Sequence, residues 1–218
     1  MNILVIAPHP DDEILGCGGT ILKMTSKGHN VDVCIVTKGQ SPQFDSEYIE
    51  RGYYEDFRAN LSLGVSKIFS LKFPASNLDM IPQYQINDSI KDVIEEIEPE
   101  EIYIPYYGDI HHDHKIVAEA AMVAARPMKG QCVKRIYAYE VPSETGWDVP
   151  DNTFKPNVYI DITNQIQCKV EAFQLLKTQK KKYPDARSAE VLYSIAQYRG
   201  SQVGYYHAEA FMLLRELK

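Results

Sequence analysis

The stretch NILVIAPHPDDEILGCGGTILKMTSKGHNVDVCIVT, Asn2 to Thr37, decides the fold. Asn2 to Ala7 is a short apolar run rich in β-branched residues that stops at Pro8, the pattern of a buried strand. Apolar residues at Ile14, Leu15, Ile21 and Leu22 then predict a helix over Asp12 to Lys27, weakened in its first turns by Gly16, Gly18 and Gly19 and closed by Gly28. Val31 to Thr37 is a second buried strand. Strand, helix and strand within forty residues make a βαβ unit, which requires a parallel sheet and a right-handed crossover.

The same alternation continues outward. Helices are predicted at Tyr48–Leu63, Ile86–Ile97, Lys115–Arg126, Gln165–Lys182 and Ser188–Tyr198, and strands at Lys67–Leu71, Glu101–Pro105, Val133–Val141 and Asn157–Ile162. Pro142 to Pro156 holds Gly, Pro, Ser and the only Trp, and is expected to be a loop or flap over a site. With no linker or repeat, residues 1–218 read as a single doubly wound, Rossmann-like α/β domain with a mostly parallel sheet and helices on both faces.

Composition removes several classes of function. The chain has 218 residues, 44% apolar and 24% charged, which is the balance of a folded globular protein. Its 30 acidic and 23 basic residues give a net charge of −7, which repels nucleic-acid backbones and anionic membrane surfaces. No apolar run approaches the length of a membrane span. The four cysteines form no close pair and no basic leader precedes the first strand, so the expected compartment is a reducing cytoplasm.

In open parallel sheets, ligands bind beyond the carboxyl ends of the strands. Two polar clusters fall there: Pro8-His-Pro-Asp-Asp-Glu13 after the first strand, and His111-His-Asp-His114 after the strand ending at Pro105. Together they contain four of the six histidines. Imidazoles and one carboxylate suit a tetrahedral zinc, and three protein ligands leave a position open for chemistry. Two adjacent aspartates can then divide the work, one binding metal and the other taking a proton. Any one of these residues alone would read as a helix cap or a satisfied turn; two clusters at two strand ends do not. Two other readings compete. A dinucleotide-binding turn is suggested by Gly16, Gly18 and Gly19, although the first glycine of that pattern belongs at the strand end, where this chain has His-Pro-Asp-Asp. A non-catalytic, metal-holding carbohydrate-binding protein would need neither Asp11 nor His111.

Ala7-Pro-His-Pro-Asp-Asp-Glu13 resembles the A-[HP]-H-P-D-D-E signature of the LmbE-like, or PIG-L, family of zinc-dependent N-deacetylases, and His111-x-Asp113-His114 resembles its second motif. The likeness extends through Gly18-Gly-Thr20, Leu63-Gly-Val65, Pro156 to Ile162, Arg187-Ser188, Arg199 to Gly204 and Ala208 to Phe211, almost the whole chain. The resemblance implies a hydrolase that removes acetyl from an N-acetylglucosamine-type sugar or conjugate by metal-activated water; another amide, such as a thiol conjugate, is the alternative. It implies His9, Asp12 and His114 as ligands of zinc, with iron(II) fitting the same set. It implies Asp11 as general base, His111 as the imidazolium that stabilises the oxyanion or protonates the leaving amine, and Asp113 as the carboxylate orienting that histidine. Arg51, Arg187 and Arg199 are candidate substrate contacts, and Tyr106, Tyr107 and Trp147 candidate stacking faces. Thr37-Lys-Gly-Gln40 departs from the family by placing Gln40 where some relatives carry an acid. The implied partner is a small N-acetylated sugar, with homo-oligomers frequent among relatives.

Overall fold

The computed structural model describes residues 1–147 and 153–218. The elements run in chain order as β1 (Asn2–Ala7), α1 (Asp12–Ser26), β2 (Asn30–Lys38), α2 (Ser46–Ser62), β3 (Ile68–Pro74), a 3-10 turn at Leu78–Met80, α3 (Gln83–Ile97), β4 (Glu101–Pro105), α4 (His112–Ala124), β5 (Arg135–Tyr139), β6 (Val158–Asp161), α5 (Ile166–Gln174), α6 (Ala189–Ser201) and β7 (Ala208–Glu216). The strands form one seven-stranded sheet in the order β3-β2-β1-β4-β5-β7-β6. Strands β1 to β5 are mutually parallel, and β7 runs antiparallel to both β5 and β6.

Burial of the sheet on both faces explains the continuous apolar runs. Ile3, Val5 and Ala7 of β1 face a core shared with α1, α2, α5 and α6, whereas Leu4 and Ile6 face a second core built with α3 and α4. This is the two-residue period of a strand with helices on either side. Among the described residues, no helix is long and apolar enough to cross a membrane.

The glycines of α1 serve packing. A Cβ at Gly16 would lie 2.3 Å from Tyr139 Cδ2, and one at Gly19 would lie 2.8 Å from Ile162 Cγ2. They let the helix press against the sheet side chains, and the end of β1 is occupied by the His9 turn, so the dinucleotide reading has no support in the geometry. A buried ion pair tightens the same contact: Lys169 Nζ donates to Leu15 O at 2.7 Å and to Glu209 Oε1 at 2.6 Å, while the Gly19 and Thr20 amides donate to Glu209.

Two expectations need correction. The helix predicted over Gln165–Lys182 ends at Gln174. Beyond it, the Thr178 amide and hydroxyl both donate to Glu55 Oε2, at 2.8 and 2.9 Å, so a tertiary contact takes a group that a continued helix would need. The sequence reading also missed β7, which holds β6 onto the sheet. Of the expected flap, residues 148–152 lie outside the described residues. The turn before them folds back onto the loop between β4 and α4: the Ile110 amide donates to Glu144 O at 3.0 Å.

Candidate metal centre

The strand order reverses between β1 and β4, which pair directly with Ile3 opposite Glu101 and Val5 opposite Tyr103. The carboxyl ends of these neighbours therefore open into one crevice, and both polar clusters enter it. The first is fixed by Thr37 of β2, whose amide and hydroxyl both donate to Pro8 O, at 3.0 and 2.8 Å. The second is the start of α4, where the Asp113 amide donates to His111 Nδ1 at 3.1 Å.

Three donor atoms converge. Asp12 Oδ2 lies 3.2 Å from His9 Nδ1 and 3.2 Å from His114 Nε2. Ligands about 2.0–2.1 Å from a tetrahedral ion stand roughly 3.3 Å apart, so this spacing fits a shared cation. The far ring nitrogens are both tied down. His9 Nε2 donates to Asp113 Oδ2 at 2.9 Å, and His114 Nδ1 donates to Asp109 Oδ2 at 2.8 Å. Each ring is thereby fixed in the tautomer that turns a lone pair toward Asp12, as metal-binding histidines require. His114 Nε2 and Asp12 Oδ1 are buried without a hydrogen-bond partner. A shared ion would satisfy buried polar atoms left in this way. The residues fit the implied metal.

Electrostatics concentrate charge at this point. Burial opposes the imidazolium of His9, yet hydrogen bonds to Asp113 and Asp12 lift it to about 9. Burial likewise opposes His114, which the Asp12 charge and the Asp109 hydrogen bond lift to about 10. Burial would raise Asp12, but the facing imidazoles hold it well below the usual carboxylate range. The atoms that bind protons this firmly are those a cation would take.

Asp11 is different. Its carboxylate is buried, its Oδ2 has no hydrogen bond, and Arg187 Nε stands 3.4 Å away. Burial pushes its pKa up to about 7, against the pull of Arg187. Its backbone has φ 127°, a region that favours glycine. Glu13 secures that conformation: Oε2 accepts the Asp11 amide at 3.2 Å, and Oε1 accepts from Asn60 Nδ2 at 2.8 Å.

At two residues the contacts differ from those expected. The Asp113 carboxylate contacts His9 rather than His111: Oδ2 is shared between His9 Nε2 at 2.9 Å and the Ser76 amide at 2.6 Å. What holds His111 is the Asp113 backbone. Because that N–H is donated to Nδ1, the neutral ring carries its proton on Nε2. Burial, together with the charges of His9 and His114, also lowers the His111 pKa, which disfavours the expected imidazolium.

A cavity of about 340 Å³ opens from His9, Asp11 and His111. Arg187 lines it; Arg51 and Arg199 do not. Arg51 is over half exposed on α2, 3.8 Å from Glu55, beside a separate hollow. Arg199 is spent on Glu140, with Nε and Nη2 donating to its two oxygens at 2.7 and 2.6 Å. Its guanidinium also covers the rings of Phe154 and Tyr198. Arg199→Ala is therefore expected to cost about 1.5–3 kcal/mol in denaturant unfolding while leaving KM unchanged. A raised KM would return it to the site.

The expected stacking residues also lie elsewhere. Tyr106 is buried against Tyr107 and Phe154, and Trp147 is exposed with Nε1 donating to Ser143 O. The cavity wall is instead Phe44, Tyr48 and Tyr53; Phe44 and Tyr48 stack at 5.8 Å. Sequence reading also missed Asp109, whose Oδ1 accepts from Thr145 Oγ1 at 2.5 Å. The available signals were an aromatic pair four residues apart and an aspartate two residues before His111.

Known proteins resemble this chain in sequence and in fold. The family profile described as "PIG-L: GlcNAc-PI de-N-acetylase" matches residues 4–125, which contain both clusters. The chain is similar to the diacetylchitobiose deacetylase of Thermococcus kodakarensis, 28% identical over 95% of this chain and 81% of that protein. Its fold is similar to that of the conserved protein TT1542 from Thermus thermophilus, with TM-score 0.80, 24% identity, and 99% and 96% of the two chains covered. It is similar also to N,N'-diacetylchitobiose deacetylase from Pyrococcus horikoshii, with TM-score 0.76, 23% identity, and 98% and 84% covered.

Proposed function

The chain belongs to the PIG-L family, and on that premise we propose that it is a metal-dependent hydrolase removing the acetyl group from an N-acetylated sugar or sugar conjugate. The observation that carries this reading is the meeting, at the β1/β4 switch point, of a three-atom metal-ligand set with a separate buried carboxylate that faces only Arg187. A binding protein has no use for the second carboxylate; a hydrolase needs a base there.

His9, Asp12 and His114 would hold the ion, zinc by its preference for this nitrogen and oxygen donor set, with iron(II) able to take the same atoms. When bound, a divalent cation supplies Lewis acidity that polarises the acetamide carbonyl and acidifies water. Asp11 takes the proton of the attacking water and delivers it to the leaving nitrogen, so acetate and a free amine result. His111 donates its Nε2 hydrogen to the developing oxyanion. Arg187, beside Asp11, favours the charged carboxylate before the proton arrives.

The test is acetate release from a panel of N-acetylglucosamine conjugates, with metal-loaded and chelator-treated protein side by side. Release by the loaded protein alone is expected. If loaded protein releases no acetate from any conjugate, the deacetylase reading fails.

A further inference from the structure

We propose that Asn60, on α2, is a positioning residue for the base: it holds Glu13, and Glu13 holds the turn that aims Asp11. This rests on the deacetylase reading above, in which Asp11 takes the proton, and extends the machinery to a side chain outside the cavity.

Asp11 is gripped along its backbone. Its carbonyl accepts the Ile14 and Leu15 amides at 3.1 and 2.9 Å, which ties it to the start of α1. Its buried amide, at φ 127°, donates to Glu13 Oε2, while its carboxylate faces Arg187. A buried N–H needs an acceptor. Without Glu13 in place the amide loses its partner, and the chain relaxes toward the negative φ that residues with side chains prefer, turning the Asp11 carboxylate with it.

Glu13 is held in turn from α2. Asn60 Nδ2 donates to Glu13 Oε1 at 2.8 Å and to Asp56 Oδ1 at 3.0 Å, with Asp56 O, one helical turn earlier, at 3.2 Å. One amide group thus bridges two acids and is anchored to its own helix by one of them. Asn60 and Glu13 are wholly buried and Asp56 nearly so, and none of the three lines the cavity. The metal ligands take their support elsewhere, His9 from Asp113 and His114 from Asp109. The aim of the base and the affinity for metal therefore depend on different side chains. Losing the Asn60 donor should misplace Asp11 while sparing both the ligand set and the cavity wall. Proton transfer is sensitive to such a shift, since a displacement of about 1 Å can cost about 10²-fold in rate.

The experiment measures kcat and KM on the most active conjugate of the panel above, and metal affinity by competition against a chelator. It compares the parent with Asn60→Asp, which replaces the donating amide by an acceptor. With kcat expressed per metal ion bound, we expect a fall of about ten- to a hundredfold, KM and metal affinity staying unchanged. Adding Glu13→Gln and Asp56→Asn reverses every side-chain donor and acceptor of the bridge, and the amide introduced at 13 still offers its oxygen to the Asp11 amide. That triple variant should regain most of the rate. Should Asn60→Asp fail to fold, Asn60→Ser carries the test, with the same split between kcat and KM expected. An unchanged kcat overturns the proposal, as does a fall matched by loss of metal, or a triple variant no faster than Asn60→Asp. Absence of acetate from the metal-loaded parent would overturn the deacetylase reading itself, and this refinement with it.

Discussion

Asp11→Asn is expected to lower kcat by about 10²–10⁴ while the protein keeps its metal. Asparagine preserves the shape of the side chain and tolerates the same unusual backbone angle, so the Glu13 contact to the residue 11 amide should survive. What disappears is the capacity to accept a proton beside the reacting carbonyl. Asp12, whose Oδ2 faces both ring nitrogens, should continue to hold the ion with His9 and His114. Elemental analysis of metal content alongside acetate release checks both halves. An Asn variant as active as the parent would show that the proton goes elsewhere. A variant that loses activity and metal together would mean that Asp11 belongs to the ligand set.

The second large effect concerns metal affinity. Asp109→Ala is expected to weaken metal binding by about 10–100-fold, and His114→Ala by more. The ring of His114 is fully buried, and its Nδ1 is held by one carboxylate oxygen of Asp109 while Thr145 from the 142–146 turn engages the other. Removing Asp109 frees the tautomer and leaves the ring without its orienting acceptor. Competition against a chelator of known affinity reads this directly, without turnover. Unchanged affinity in Asp109→Ala would reduce that residue to a loop fastener.

The first strand, helix and second strand were readable because their information is local: an apolar run, a helical spacing and a second run lie next to one another. The two polar clusters were readable for the same reason, each being contiguous and placed at a strand end. β7 escaped because Ala208 to Glu216 is written in Ala, Glu, Met and Leu, residues that suit a helix. It becomes a strand through pairing with β5 on one side and β6 on the other. Asp109 escaped because one aspartate in a loop carries no pattern; its role appears only when Thr145 and His114 close around it. The aromatic wall is likewise a product of convergence, since Phe44 and Tyr48 line the same cavity as His9 and Asp11 from the turn after β1 and His111 from the loop before α4. Arg199 shows the converse: a motif arginine suggests a ligand, and the fold pairs it with Glu140.

The backbone at Asp11 has a consequence for how this protein can change over time. A residue with a side chain is held where glycine would be comfortable, and its buried carboxylate lacks a full set of partners, a combination that burdens the folded state by about 1–3 kcal/mol. Selection for thermal robustness alone would erase it, and drift at this position would tend to produce sturdier chains without chemistry. A persistent aspartate at such a position is the signature of a stability–activity trade-off, with the ground given up locally and recovered by the two large cores.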